Sequence, residues 1–189
     1  DREFRVISAL NRTDVPTPRA YALSEDESVV GTPFYIMEYC DGRVLWDPLL
    51  PEVPKEGRLA IYRAKFETLA RLHAVDYVAL GLADFGRPGS YVARQLSRWG
   101  KQYKASETAS IPSMNRLMEF LPTTTPGDDR TSIVHGDYRL DNMVLHPTES
   151  KVIAVLDWEL STLGDPIADF SYHLMNWVMP PGDSARGSI

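Results

Sequence analysis

The sequence predicts an α+β chain in which a few early strands are followed by mostly helical segments. Three observations carry that prediction. Apolar residues recur at helical spacing over 2–11, 56–74, 91–104 and 114–121, and again from Ile167 onward. Short β-rich runs stand at 20–23, 34–39, 132–134, 142–146 and 152–158, without regular strand–helix alternation. The 189 residues are 43 % hydrophobic and 24 % charged, a globular composition suited to one domain, or to one lobe and part of another.

Taken in order, Phe4, Ile7 and Leu10 give the first helix its apolar face, and Pro16 and Pro18 end it. The runs 20–23 and 34–39 read as two strands around the acidic turn 24–28. Asp41-Gly42 marks a turn, and with it an expected boundary between segments 1–40 and 41–189. Residues 48–54 read as a loop. In the long helix 56–74, Leu59, Tyr62, Phe66, Leu69 and Leu72 fit one face. His73 and His173 fall within helical stripes and read as packing residues. Leu96 and Trp99 mark the helix 91–104, a further helix covers 114–121, and 122–131 is a polar surface loop. The apolar stub 132–134 leads into His135-Gly136-Asp137. The runs 142–146 and 152–158 form a hairpin turning at 147–150. Ile167, Phe170, Leu174 and Trp177 restore a helical stripe, and 180–188 reads as a loop.

No apolar run approaches the ~20 residues of a membrane-crossing helix. The charged start is not a signal-peptide pattern. A single cysteine, Cys40, has no internal partner for a disulfide, so a reducing, cytoplasmic setting is expected. The net charge of −6 argues against nucleic acid as a partner.

The stretch from His135 through Asn142 has the spacing H-x-D-x-x-x-x-N of the protein-kinase catalytic loop. Asp157 follows at the end of an apolar strand. Phosphoryl transfer builds charge on the γ-phosphate, which Mg²⁺ spreads, and Mg²⁺ takes hard oxygen ligands. Asn142 and Asp157 offer an amide oxygen and a carboxylate on neighbouring strands of one hairpin. Asp137 is placed to accept the acceptor's proton. Taken singly, each reads equally as a turn or cap residue; the ordered set of three points to phosphoryl transfer.

His135–Asn142 with Asp157 resembles the aminoglycoside phosphotransferase and choline kinase superfamily, which uses H-G-D where protein kinases use H-R-D. Gly164-Asp165-Pro166-Ile167-Ala168-Asp169 resembles that superfamily's G-D-P-x-x-D segment. Arg2-Glu3-Phe4-Arg5-Val6, the run from Tyr91 through Trp99, and Asp157-Trp158-Glu159-Leu160-Ser161-Thr162 resemble one branch, the phosphotransferase domain associated with acyl-CoA dehydrogenases. The resemblance implies a protein-kinase-like two-lobe fold: a truncated N-terminal lobe with its hinge over 1–40, then a mainly helical C-terminal catalytic lobe over 41–189. It implies that Glu3 pairs with an ATP-positioning lysine; a solvated helix glutamate is the alternative. Met37 would lie beside the adenine, with backbone groups of Glu38 and Cys40 at its edge; a plain apolar strand explains this run equally well. His135 joins the catalytic loop, and Asp169 would brace that loop by accepting N–H bonds near His135, unless it is only a first-turn acid favoured by the helix dipole. Trp158 replaces the phenylalanine of D-F-G, so an activation-loop switch is not implied. No G-x-G-x-x-G loop or V-A-I-K-like strand precedes residue 39, and that part of an ATP site is expected outside these residues.

The resulting expectation is an ATP- and Mg²⁺-dependent phosphotransferase acting on a small-molecule alcohol. Only residues 158–168 separate Asp157 from Asp169, too few for a long peptide-docking loop. The insert 89–121 carries Tyr91, Trp99 and Tyr103 with Arg94, Arg98 and Lys101, which suits a hydroxyacyl-CoA ahead of an aminoglycoside; a solvated basic face is the plainer meaning of those cations. The alternatives are a non-catalytic nucleotide-binding pseudokinase and a metal-dependent phosphate-ester hydrolase.

Overall fold

Helix α1, Arg2–Leu10, opens the computed structural model of the protein, which describes residues 2–125, 127 and 130–178, with the side chains of Asn176 and Trp177 left aside. Trp177's place in the last stripe, the expected loop at 180–188 and part of the 122–131 loop lie outside the described residues. The buried face of α1 is Val6, Ile7, Ala9 and Leu10. Phe4 is half-buried instead and meets Tyr35 with ring centroids 6.2 Å apart. The Arg2 guanidinium donates to the carbonyls of Phe85 and Ser161 and lies 4.1 Å over the Phe85 ring. Helix α1 is thereby fastened to two loops far along the chain.

Strands β1 (Ala20–Ser24) and β2 (Phe34–Met37) pair antiparallel, from Ser24 opposite Phe34 to Ala20 opposite Met37. β2 stops short of the expected residue 39 because its partner strand ends at Ala20; one more bond, Glu38 N–H to Arg19 O, closes the ladder, and Tyr39 projects into solvent.

Helix α2 spans Lys55–His73. Its buried positions are Ile61, Lys65, Thr68, Leu69 and Leu72, which share Leu69 and Leu72 with the expected stripe. Leu59 is 66 % exposed, and Tyr62 and Phe66 are half-buried. Over its first turns the helix buries a neighbouring face instead, and two of the buried positions are polar, so hydrophobicity there points past them. Helices α3 (Tyr91–Ser106) and α4 (Pro112–Phe120) have no buried residue. The Tyr91 ring lies against Gly164, where an added Cβ would meet it at 2.5 Å.

The catalytic-loop region is built on two short antiparallel pairs. β3 (Ser132–Val134) pairs with β6 (Thr162–Gly164), and β4 (Met143–Leu145) with β5 (Val152–Val155). A short 3₁₀ turn, Leu140–Asn142, precedes β4, which is why the hairpin arm starts after Asn142. β6 was not expected, since three residues are too few to show alternation. β5 ends at Val155, not 158, because Asp157 takes φ 62°, outside any strand conformation. Helix α5 spans Ile167–Val178. One apolar cluster joins Ile7 and Leu10 of α1, Leu69 and Leu72 of α2, and Tyr138, Met143, Val155, Trp158 and Leu163 of the strand region.

Gly42 stands at a bend and also allows a close approach. A Cβ there would meet Leu145 O at 2.3 Å and Val144 Cγ1 at 2.5 Å, and Arg43 exchanges two backbone bonds with Leu145. The glycine lets the chain after β2 lie directly on β4. Gly42→Ala is therefore expected to cost about 1–3 kcal/mol, read as a lower urea midpoint at unchanged m.

Candidate active site

A glycine is required at 136. Its φ is 88°, and a Cβ would stand 2.7 Å from Leu160 O. The turn at Gly136 carries the chain from the buried strand β3 to the partly open Asp137, whose side chain is 23 % exposed. Asn142 holds Asp137 from across the loop. Its Nδ2 donates to Asp137 O at 2.9 Å and to Asp137 Oδ2 at 3.0 Å. With both N–H groups so used, the Asn142 amide oxygen faces away as a free acceptor.

Asp157 arrives from the other strand. The Leu156 N–H donates to Asn142 O at 2.9 Å, so Asp157 is one residue from Asn142's cross-strand neighbour. Its left-handed backbone is uncommon for a residue with a Cβ and occurs at many functional turns. Among the described residues, no three His, Cys, Asp or Glu side chains converge as a metal cage. One amide oxygen and one carboxylate suit Mg²⁺, which keeps most of its ligands from phosphates and water.

Beneath the loop lie His135 and Asp169, both buried. Asp169 Oδ1 accepts from Gly136 N–H at 2.9 Å, and Oδ2 from His135 N–H at 2.9 Å. His73 Nε2 stands 3.1 Å from the same Oδ2. His135 Nε2 donates to Leu156 O at 2.9 Å, while its Nδ1 accepts from Asp137 N–H at 3.2 Å. That pattern requires the neutral imidazole protonated on Nε2. Burial lowers the His135 pKa and keeps the ring neutral. Trp158 packs on it at 4.6 Å between centroids and donates its own N–H to Val155 O.

Glu3 does not touch the Asp137 group. Its Oε2 is 3.4 Å from the Tyr35 hydroxyl, and burial, followed by the Glu3 charge, pushes that phenol up to about 12. Asp157 adds to the same field, so Tyr35 stands between the two carboxylates. Met37, Glu38 and Cys40 lie at the end of β2. The Glu38 carboxylate accepts from Arg19 N–H at 3.1 Å, and burial, then Glu38, raises the Cys40 thiol. Among the described residues, no hydrogen bond or ion pair joins these three to the Asp137 group.

The structure adds residues that sequence reading missed. Arg139 Nη2 donates to Asp141 Oδ2 at 2.6 Å, and its Nε stands 3.3 Å from Asp137 Oδ1, off the line of a hydrogen bond. Tyr172 of α5 interacts with both Asp137 and Arg139. His73 and His173, expected only to pack, both carry polar contacts: His73 with Asp169, and His173 with Lys65 at 3.0 Å. A cation within the motif was a visible signal for Arg139. The two histidines offered none, because their partners are remote in sequence.

The profile of the "Phosphotransferase enzyme family" matches residues 1–189. The chain belongs to that family. A mouse protein named acyl-CoA dehydrogenase family member 10 is 51 % identical over 180 residues, 95 % of this chain but 17 % of its own length. A crystal structure described as a candidate aminoglycoside phosphotransferase from Ralstonia eutropha is 58 % identical, with a TM-score of 0.93 over 99 % of this chain and 57 % of its own. The streptomycin–ATP complex of APH(2″)-IIa shares the fold at 17 % identity, with a TM-score of 0.67 over 94 % of this chain and 60 % of its own. This phosphotransferase family member thus spans about a sixth of the length of the mouse relative and under two thirds of the two solved chains. It has the kinase-like α+β fold. Among its described residues, no helix is long and apolar enough to cross a membrane.

The buried His173 gives the fold a pH dependence. Burial, then the Lys65 charge, holds its pKa down at about 4, against 6.5 for an ordinary histidine. Between those values the unfolded chain binds a proton that the folded chain refuses. Stability is therefore fully present above pH 6.5 and is lost as the pH falls toward 4. In chemical denaturation at stepped pH, His173→Phe should flatten the profile in that window, by at most about 1.4 kcal/mol per pH unit.

Proposed function

We propose that this chain is the catalytic half of an ATP- and Mg²⁺-dependent small-molecule kinase, with Asp137 as its base. One observation carries the reading: the Asp137 carboxylate is partly open, clamped by Asn142, and set on a backbone that Asp169 and His135 fix from below. A general base needs that combination of access and fixed direction. The acceptor hydroxyl gives its proton to Asp137 as its oxygen attacks the γ-phosphorus and ADP leaves. Asn142 turns the Asp137 carboxylate toward that hydroxyl. His135 and Asp169 touch no substrate and hold the loop. The Asn142 amide oxygen and the Asp157 carboxylate would hold Mg²⁺ together with the nucleotide phosphates, and the ion would supply charge neutralisation at the γ-phosphate.

Segment 1–40 contributes the nucleotide-facing edge, with the adenine beside Met37 and against backbone groups of Glu38 and Cys40. Glu3 is the helix glutamate that would pair with an ATP-positioning lysine. In the polypeptide that carries the whole nucleotide site, Asp137→Asn should lower kcat by about 10²–10⁴ with little change in nucleotide affinity. Near-normal turnover would remove Asp137 from the role.

For the acceptor, a hydroxyacyl-CoA ranks first and an aminoglycoside second. The 51 %-identical mouse relative bears an acyl-CoA dehydrogenase name. Helix α3 carries Arg94, Arg98 and Lys101 in an exposed or half-exposed row, with Arg98 5.3 Å from the Trp99 ring. Such a row suits the phosphates of CoA and repels a polycation. A panel of hydroxyacyl-CoAs, aminoglycosides, choline and a protein substrate, assayed with ATP and Mg²⁺, should show preference for the CoA esters. Preference for aminoglycosides would reverse the ranking.

A further inference from the structure

A lysine in the middle of a buried helix face is costly, and Lys65 of α2 is only 2 % exposed. Its ammonium meets His173 Nδ1 of α5 at 3.0 Å. His173 is itself buried, with Tyr62 and Phe66 against its ring. An apolar side chain of the same volume would fit this site without the desolvation penalty. Stability alone does not account for a charge here.

What the charge can act on is the catalytic loop directly above it. The Lys65 carbonyl accepts from the Tyr138 hydroxyl at 2.7 Å, and the ammonium lies 5.7 Å from the Tyr138 ring centroid. Tyr138 is buried and follows Asp137 directly. Two charged loop residues act on the same ammonium, Asp141 attracting it and Arg139 opposing it. Asp141 in turn holds the Arg139 guanidinium at 2.6 Å, and Arg139 faces Asp137. Around Arg139 the charges alternate in sign, with Asp141 on one side and Asp137 on the other, and the Lys65 ammonium lies beneath the same loop against Tyr138.

We propose that Lys65 is a positioning residue for phosphoryl transfer: its buried ammonium, seated against the Tyr138 ring and drawn toward Asp141, steadies the loop and the Asp141–Arg139 pair at the setting that leaves Asp137 aimed at the acceptor. Screening by water is weak below the loop, so the coupling acts where a surface charge would not. The inference rests on Asp137 being the base.

The test uses the polypeptide that carries the whole nucleotide site. Lys65→Met should melt at or above the parent temperature, with kcat lowered about tenfold and KM for ATP unchanged. Asp141→Asn should remove the dependence, so that Lys65→Met has no further effect on kcat in that background. If Lys65→Met does not fold, Lys65→Gln, uncharged and able to donate to His173, is read in its place. An unchanged kcat in the folded variant overturns the proposal. So does an equal fractional loss in both backgrounds, which would mark a merely structural role. Asp137→Ala run alongside separates the two readings: turnover in that variant removes the base assignment, whereas an inactive Asp137→Ala beside a fully active Lys65→Met removes only the role of Lys65.

Discussion

A carboxylate taken out of water must be given donors in place of the ones it loses. Asp169 is given two backbone N–H groups in succession, from His135 and Gly136, and the imidazole of His73 beside them. These donors come from the end of α2 and from the turn after β3, while the acceptor stands in the first turn of α5. Three elements that share no neighbouring sequence are thus held at one point by one charge. The direction in which the chain leaves β3, and so the direction of Asp137, follows from that point.

Around it the polar groups fall into two kinds. The buried ones are matched: the imidazole of His135 uses both nitrogens, and the indole of Trp158 uses its only donor. The open ones are left with capacity to spare. Asp137, the amide oxygen of Asn142 and Asp157 face outward from a scaffold that has no slack of its own. At this boundary the backbone takes positive φ twice, at Gly136 and at Asp157. A site of this kind is rigid because of what is satisfied beneath it and reactive because of what is not satisfied above it.

Much of this was legible in the sequence, and the reason is chemical. Asp137, Asn142 and Asp157 stand at fixed offsets on a loop and a hairpin, and fixed offsets can be read. The helices were visible too, since long apolar periods are hard to mistake. Of the residues that support the loop, Asp169 was expected to accept N–H bonds near His135, and it does; the others were not legible. His73 finds its partner 96 positions away and Lys65 its partner 108 positions away, and nothing local marks either pairing. The buried face of α2 was placed only in part, at Leu69 and Leu72, for a related reason: Lys65 and Thr68 lie on it, and hydrophobicity reads polar residues as solvent-facing. β6, three residues long, left no pattern at all.

The indole beside Asp157 has a consequence for inhibition. A phenylalanine at that position would have no polar bond to break on leaving its seat. Trp158 is fully buried, tilted against His135 at 4.6 Å and tied through Nε1 to the carbonyl of Val155. Swinging it out would strand a donor and an acceptor and empty the space of the largest side chain in the core. Compounds whose affinity depends on occupying that vacated space would find no vacancy here, and selective ligands are better sought on the acceptor side of Asp137.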